Sequence, residues 1–318
     1  MAVAKQSSLD YSVVVPLYNE AQNVSPTHKE LLATMDKLRG EYEIIYINDG
    51  SKDATLKELK KLKKAVVIDL NRNYGQSTAL DAGFKAAQGE IIISLDGDLQ
   101  NDPADIPRLL EKLKKDNLDV IAGWRRKRRD KNSVRILTRL GRACRGVLLN
   151  DRVHDSGCML RAYRKEAVKS LDLQGEMHRY ILALLRWKGF RIGELEVNHR
   201  PRIHGNTKYS SSKAVRGFID LMYIWFINKY SQRPLHLFGY LSLLSSILAV
   251  LSLGESIAAK IIWSLSLNRN GFFYLGFFFF IASILFFSFG IIIDILIRIH
   301  HNSSPFEQRY YVREIVRN

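Results

Sequence analysis

Cysteine is scarce in this chain of 318 residues, which carries only Cys144 and Cys158. Two cysteines without metal-finger spacing exclude a disulfide framework and a cysteine-based zinc site. We therefore expect both thiols to be reduced, in a domain that faces the cytoplasm. The N-terminus also lacks the long apolar stretch of a signal peptide, which agrees with that location.

Two glycine-rich phosphate-binding motifs are missing as well. No G-x-G-x-x-G follows the first predicted strand and no G-x-x-x-x-G-K-[ST] occurs, which argues against a dinucleotide fold and a P-loop ATPase. Lys and Arg outnumber Asp and Glu by 48 to 32, a formal net charge of +16, yet no motif for reading DNA or RNA accompanies this excess. We expect the cations to meet lipid or substrate phosphate, and we expect no nucleic-acid partner.

Short β-branched runs alternate with helix-length amphipathic stretches in the first half of the chain. This alternation predicts an α/β domain with a mostly parallel sheet flanked by helices. Strands are predicted at Tyr11 to Pro16, Glu43 to Asn48, Val66 to Leu70, Glu90 to Leu95, Leu118 to Ala122, Cys158 to Tyr163 and Arg191 to Val197. Helices are predicted to begin near Asn23, Asp53, Gln76 and Pro103, and another to run from Met177 to Trp187.

Two long apolar stretches lie in the C-terminal part of the chain. One runs from Pro234 towards Glu255 and the other from about Gly271 to Ile297, and each has the roughly 20 residues needed to cross a bilayer core. Positive residues crowd before the first stretch and after the second, so the positive-inside rule predicts that both termini are cytoplasmic. The aromatic-rich spans also offer surfaces for association between copies of the chain.

A segment with helical periodicity and interspersed Lys and Arg precedes the first span, from Ser212 to Tyr230. This pattern predicts an amphipathic helix at the membrane surface, and a core-packing helix is the alternative. The predicted organisation is a cytoplasmic α/β domain at 1–211, a juxtamembrane helix at 212–233, a transmembrane hairpin at 234–298 and a cytoplasmic tail at 299–318.

Two carboxylates stand one residue apart directly after the fourth predicted strand. Asp96 and Asp98 flank a glycine, a spacing that lets both reach one hard divalent cation, and Gln100 is an additional candidate ligand. An EF-hand is excluded because Asn101 and Pro107 occupy the positions of its glycine and its bidentate glutamate. A solvated turn is the alternative to a metal site.

Polar residues also follow the other predicted strands, where ligands bind in parallel sheets. These residues are Tyr18-Asn19-Glu20, Asp49-Gly50-Ser51 and Asn71-Arg72-Asn73. A strongly basic run, Trp124 to Arg129, follows the fifth predicted strand and indicates a loop over an anionic ligand. A solvated or lipid-facing charge is the simpler interpretation for Arg126, Arg128 and Arg129.

Six motifs carry a family resemblance in their order along the chain: PLYNE, NDGSKD, LNRNYGQ, LDGDLQNDP, GCMLRAYR and RIHGNTKY. Together they resemble glycosyltransferase family 2, and more narrowly the bacterial polyprenyl-phosphate glycosyltransferases, with dolichol-phosphate mannose synthases as more distant relatives. The resemblance covers nearly the whole chain. It implies a GT-A fold that binds a nucleotide-sugar.

The resemblance also implies roles for individual residues. The nucleotide-sugar would be held by Pro16, Tyr18, Glu20, Asp49, Asn73, Gln76 and Asp96, with Arg202 and Lys208 on a loop that clamps the pyrophosphate. The metal, Mg²⁺ or Mn²⁺, would be held by Asp96, Asp98 and Gln100, and the acceptor phosphate by Arg125 and Arg139. Asp98 and Asp155 would be catalytic, with Asp155 either a base or a group that orients the acceptor.

The expected reaction is inverting transfer of a hexose, glucose from UDP-glucose, to a polyprenyl phosphate such as undecaprenyl phosphate at the inner or plasma membrane. The same chemistry with GDP-mannose or a UDP-aminopentose is an alternative. A processive polysaccharide synthase is disfavoured because the chain has no Q-x-x-R-W motif and only two predicted spans. The alternative from another class is a non-catalytic scaffold that binds lipid phosphate, which would tolerate loss of Asp96 and Asp98.

Overall fold

The structure, a computed structural model, describes residues 9–126, 145–149, 153–201, 212–230, 234–302 and 312–317. The chain divides into two units, and the first unit takes residues from both ends of the sequence. This sheet unit comprises Met1–Met222 and Gln308–Asn318, and the hairpin unit comprises Tyr223–Glu307.

An eight-stranded sheet forms the centre of the sheet unit, with the strand order β7-β5-β6-β4-β1-β2-β3-β8. The strands are β1 (Tyr11–Leu17), β2 (Tyr42–Asn48), β3 (Val66–Leu70), β4 (Ile91–Ser94), β5 (Val120–Trp124), β6 (Arg161–Arg164), β7 (Ile192–Glu196) and β8 (Val312–Arg317). Each of the seven strands predicted from the sequence is present, with ends shifted by up to three residues. The eighth strand lies in the segment predicted only as a tail.

Strand direction determines which loops meet. β1 pairs in parallel with β2 and β4, and β2 with β3. Strands β4 and β5 are both antiparallel to β6, so β5 runs in the same direction as β1 to β4. Strand β7 is parallel to β5, so the carboxyl ends of six strands lie along one edge of the sheet, which is where ligands bind in such folds.

Both faces of the sheet are buried, which explains why its strands are continuous apolar runs and do not alternate with polar residues. Val13 and Val15 of β1 pack in the core cluster on one face, and Val14 packs in the cluster on the other. All three side chains are fully buried. Burying a side chain of this size contributes about 1.5–3 kcal/mol to the stability of the fold, so burial strongly favours these short strands.

Helices cover the two faces of the sheet. They are α1 (Ala21–Met35), α2 (Thr55–Leu59), α3 (Gln76–Ala86), α4 (Ile106–Lys115), α5 (Lys165–Lys169) and α6 (Ile181–Trp187). Helix α4 is entered through a short 3₁₀ turn, Pro103–Asp105, in which the Asp102 side chain accepts a hydrogen bond from the Ala104 backbone N–H. The sequence predicted this start from proline, whose missing N–H has no intrahelical partner to lose there.

The remaining helices are α7 (Ser212–Tyr230), α8 (Pro234–Trp263) and α9 (Gly271–Asn302). Two segments, Leu235–Trp263 and Gly271–Ile297, are long and apolar enough to cross a membrane, with mean hydropathies of 1.9 and 2.6. Only 17% and 11% of their most apolar windows are buried within the protein. Such exposed apolar surface fits a lipid environment better than a soluble core.

Small residues allow α8 and α9 to approach closely. A Cβ added to Gly276 would lie 2.6 Å from the Leu253 Cγ, so only glycine fits there without a shift. The Ser283 hydroxyl is hydrogen-bonded to the hydroxyls of Ser242 and Ser246 at 3.1 and 2.7 Å. Close packing and side-chain hydrogen bonds of this kind hold helices together in lipid.

Candidate active site

A cavity of about 370 Å³ opens at the carboxyl ends of β1, β2 and β4. We call it the strand-end cavity. Eight residues predicted from the sequence line it: Pro16, Tyr18, Glu20, Asp49, Asn73, Gln76, Asp96 and Asp98. These residues come from four separate motifs, and parallel strand order brings them to one place.

The loop after β3 is held in the cavity wall by Asp49. Its buried carboxylate accepts backbone N–H bonds from Tyr74 at 2.7 Å and Gly75 at 2.9 Å. Burial raises the pKa of Asp49, and the two donors act against that rise. Gly50 has a φ of +61°, and a Cβ there would lie 2.2 Å from the Arg72 carbonyl carbon. Only glycine therefore lets these two loops meet.

The Asp96-Gly97-Asp98 turn is also shaped by a close approach. A Cβ on Gly97 would lie 2.1 Å from Leu17 Cδ2, so a side chain at this position would displace β1 packing. Gln76, at the start of α3, donates its side-chain N–H to Asp96 Oδ1 at 2.9 Å. The carboxylate of Asp96 is thus oriented from the neighbouring helix.

The charges around Asp96 favour a divalent cation. Burial raises the pKa of Asp96 to about 7, and the negative charge of Asp98 adds to the rise, while Arg125 and Arg161 oppose it. The negative charges of Asp96 and Asp98, which both line the cavity, repel one another, and a cation shared between them would remove that repulsion. The donor set is all oxygen, as Mg²⁺ and Mn²⁺ prefer.

Gln100 has a different environment from the two carboxylates. It is not among the residues that line the strand-end cavity. Its backbone N–H donates to Asp98 Oδ1 at 3.1 Å, across Leu99, whose φ is +63°. Among the described residues no group of three or more His, Cys, Asp and Glu side chains could hold a metal. Asp96 and Asp98 would therefore need further ligands from Gln100, substrate or water.

Arg125 and Asp155 form a nearly buried ion pair beyond the metal motif. Arg125 donates through Nε to Asp155 Oδ2 at 2.7 Å and through Nη2 to Oδ1 at 3.0 Å. The two side chains are only 11% and 12% exposed. Burial acts to lower the pKa of Arg125, but its hydrogen bonds to Asp155 and the charge of that group raise it overall. We call this feature the arginine–aspartate pair.

A second guanidinium lies beneath the site. Arg161 is fully buried, and it donates through Nε to the Cys158 carbonyl at 2.7 Å and through Nη2 to the Ser156 carbonyl at 2.6 Å. Its charge helps to keep the pKa of Asp96 from rising further. The role of Arg161 could not be predicted from the sequence, because an arginine on a predicted strand gives no sign that its side chain is buried.

Three predicted residues, Arg139, Arg202 and Lys208, lie outside the described residues. Their assignments to the acceptor phosphate and to the pyrophosphate clamp remain predictions. Apart from Gln100, the other predicted residues fall into two groups, those in the strand-end cavity and those in the arginine–aspartate pair. Arg125 is close enough to Asp96 for their charges to influence each other's pKa, so the two groups adjoin.

Comparison with known proteins identifies the family. Residues 12–172, which contain every described residue of the site, match glycosyl transferase family 2. This chain belongs to glycosyl transferase family 2. The resemblance carried by the six motifs is therefore confirmed, and the residues that line the strand-end cavity lie within the matched region.

Two curated relatives match this family 2 glycosyltransferase over nearly their full lengths. A dodecaprenyl-phosphate galacturonate synthase of Rhizobium johnstonii is 36% identical over 318 residues, covering 97% of this chain and 93% of the relative. An undecaprenyl-phosphate 4-deoxy-4-formamido-L-arabinose transferase of Edwardsiella ictaluri is 33% identical, covering 96% and 94%. Both similarities extend through the hairpin unit.

A solved structure with the same fold is that of glucosyl-3-phosphoglycerate synthase from Mycobacterium tuberculosis, in complex with Mn²⁺, UDP and glucosyl-3-phosphoglycerate. It aligns with a TM-score of 0.56 at 16% identity, covering 70% of this chain and 81% of that one. At this identity the likeness shows the fold alone. The predicted GT-A domain of this glycosyltransferase is thus confirmed.

Proposed function

We propose that this glycosyltransferase transfers one sugar from a uridine diphosphate donor to the phosphate of a polyprenyl lipid. The observation that carries the proposal is the contiguity of two oppositely charged sites. A cavity lined by two carboxylates, the partly buried Asp96 and the buried Asp98, adjoins a nearly buried arginine, Arg125. The names of both relatives contain a polyprenyl phosphate and a sugar, which agrees with this arrangement.

The donor would occupy the strand-end cavity. Tyr18 offers an aromatic face and Glu20 a carboxylate for ribose hydroxyls, while Asp49 fixes the loop that carries Asn73. Asp96 and Asp98 would hold Mg²⁺ or Mn²⁺, and that cation would neutralise charge on the departing diphosphate. Mn²⁺ and UDP together in the structural neighbour support this choice of donor and metal.

The acceptor phosphate would bind at Arg125. A phosphate monoester is already anionic near neutral pH, so it needs orientation more than deprotonation. Asp155 makes two side-chain hydrogen bonds to Arg125, which suits a group that aims the guanidinium and does not suit a free base. Direct attack of the lipid phosphate on the anomeric carbon would invert its configuration. Arg139, Arg202 and Lys208 are proposed to complete the two phosphate sites.

Chain connectivity supports a membrane hairpin with both ends on one side. The chain leaves the sheet unit after Met222 and returns at Gln308, and β8 then pairs with β3. A chain that returns to the same folded sheet crosses a membrane an even number of times. The charge asymmetry of the flanks favours the cytoplasm for that side, so we propose a cytoplasmic site in the inner or plasma membrane.

The sugar itself requires a separate test. The sequence-based expectation was glucose, whereas the names of the relatives carry galacturonate and 4-deoxy-4-formamido-L-arabinose. A panel of UDP-glucose, UDP-galacturonate, the UDP-formamidopentose and GDP-mannose, each with undecaprenyl phosphate and Mg²⁺ or Mn²⁺, discriminates among them. We expect one of the UDP-sugars to be strongly preferred.

The decisive experiment uses membranes that contain the full chain, and it follows transfer of labelled sugar into lipid extract. Asp98→Asn keeps the shape of the site and removes one metal ligand, so we expect transfer to fall by about 10³-fold. Chelation of the metal should lower transfer in the same way. Asp116→Asn is the matched control, because the Asp116 side chain forms an exposed ion pair with Lys112 and does not line the strand-end cavity. Absence of transfer from every donor, or full activity of Asp98→Asn, would contradict the proposal.

A further inference from the structure

Glu194, on the edge strand β7, holds the loop that carries Asp155. Its carboxylate accepts the backbone N–H of His154 through both oxygens, at 2.9 and 3.1 Å, and that of Asp155 at 3.3 Å. The His154 ring donates from Nδ1 to Glu194 Oε2 at 2.8 Å. The Glu194 side chain is only 17% exposed. One acidic side chain therefore fixes two consecutive backbone amides and an imidazole.

An aromatic stack holds the same loop from its other side. The His154 ring lies on the Trp124 indole with centroids 4.5 Å apart and planes 23° apart. Trp124 is the last residue of β5, and β5 pairs in parallel with β7, with Ala122 opposite Glu194. Both contacts with His154 thus come from adjacent strands of the sheet, which is the rigid part of the unit.

Asp155 connects this restrained loop to Arg125 through hydrogen bonds. Besides its two contacts with the guanidinium, the Asp155 carboxylate accepts the backbone N–H of Gly157 at 3.1 Å and of Arg125 at 3.3 Å. A Cβ on Gly157 would lie 3.1 Å from Arg125 Nη2, so the turn fits tightly around the arginine. The direction of the guanidinium is therefore set by the position of the loop.

We infer that Glu194 is a positioning residue for the acceptor phosphate, acting through the 154–155 backbone, Asp155 and Arg125. This inference rests on the proposed role of Arg125. Glu194 is not among the described residues that line the strand-end cavity, so we expect its effect to fall on the acceptor. Binding groups must be held within about 0.5 Å of their productive geometry, and a loop fastened to the sheet meets that demand.

The test replaces Glu194 by glutamine. Because the His154 N–H contacts both carboxylate oxygens, an amide of the same shape directs its NH₂ group at a donor or leaves one contact unmade. We expect Glu194→Gln to weaken binding of a short-chain polyprenyl phosphate in detergent, and to raise its KM, by roughly tenfold. The KM for the nucleotide-sugar and the stabilisation of the protein by UDP with Mn²⁺ should not change.

Glu196→Gln is the matched control. Glu196 is two residues further along β7 and carries the same charge, but it is 44% exposed and, among the described residues, forms its ion pair with Arg126, at 3.6 Å. A merely structural role for Glu194 predicts a lower melting temperature with both KM values shifted alike, and this result would overturn the inference. Equal lipid-phosphate binding by wild type and Glu194→Gln would also overturn it. Binding is measured without turnover, so failure of wild type to transfer any sugar would count against the proposed function alone.

Discussion

The two halves of the site are built in different ways. In the strand-end cavity, each side chain follows closely on the strand that places it, and hydrogen bonds such as that from Gly75 to Asp49 join the ends of neighbouring parallel strands. In the arginine–aspartate pair, Arg125 meets a partner 30 residues away, and that partner is held by Glu194 from 39 residues further on. The first half is held directly by the ends of adjacent parallel strands, and the second is held by a relay of side chains. The second should therefore be the more easily disturbed by a single change.

The largest effect should come from breaking the arginine–aspartate pair. Removing one partner leaves a nearly buried charge alone, so we expect Arg125→Met or Asp155→Asn to lower the unfolding free energy by about 3 kcal/mol. Acceptor binding should fall in both variants while UDP with Mn²⁺ still stabilises them. Denaturant or thermal unfolding of the detergent-solubilised full chain measures the loss.

The double variant sharpens this prediction. Because the two residues act as one unit, Arg125→Met with Asp155→Asn should cost less than the sum of the single changes. Lys112→Gln with Asp116→Asn is the control for an exposed pair, which is worth about 0–1 kcal/mol. Simple additivity at Arg125 and Asp155 would show that the two side chains do not depend on each other.

The next largest effect should come from Gly50→Ala, which breaks the strand-end cavity. The added Cβ would meet the Arg72 backbone at 2.2 Å, so the loop after β3 must move, at a cost of about 2–3 kcal/mol. Stabilisation by UDP should be lost while lipid-phosphate binding is kept. Thermal shift with and without UDP is the measurement.

Gly175→Ala provides the control for Gly50→Ala. Gly175 also has a positive φ, +49°, but a Cβ there would meet nothing within 4 Å. Gly175→Ala should lower the free energy of unfolding by about 1 kcal/mol, which is the cost of the left-handed conformation alone. If both variants behave alike, the close approach of Gly50 to Arg72 is not what shapes the cavity.

The smallest effect should come from a chain that stops before Val312 and so lacks β8. This strand pairs with the outer edge of β3, but most of its described side chains are exposed. We expect the melting temperature to fall by about 2–8 °C, as for a loss of roughly 1–2 kcal/mol. Glu314→Gln, which removes only the exposed ion pair with Lys60, should change it little. An unchanged melting temperature after truncation would mean that β8 does not support the sheet.

Sequence patterns predicted the strands and helices that can be recognised from their own buried, apolar residues. The predicted ends of β1 to β4 lie within one residue of the observed ends. Apolar runs that are buried on both faces are conspicuous in a chain that is elsewhere rich in charge. The helix from Ser212 to Tyr230 was predicted with the same bounds. β8 was missed because its sequence, VREIVR, contains three charged residues in six, and only the open edge of β3 makes it a strand.

Glu194 illustrates the same limit within the site. In the sequence it is one acid of a short predicted strand, and Glu196, two residues further on and on the same face of the strand, has the same charge. Residues 154 and 155 reach it only because β6 is inserted between β4 and β5 and the loop before it passes β7. No local pattern encodes that arrangement.

The amino-acid sequence by itself determined the α/β class, the two apolar spans, the family and the carboxylates at the strand ends, because each depends on residue order and on burial along one element. Tertiary structure alone decided that Asp49 fixes a loop, that Asp155 is paired with Arg125, that Glu194 holds the backbone of His154 and Asp155, and that the tail completes the sheet. The physical reason is the range of the interaction. The pattern of apolar residues that become buried can be recognised from residue order, whereas a hydrogen bond between distant residues forms only once the sheet has assembled.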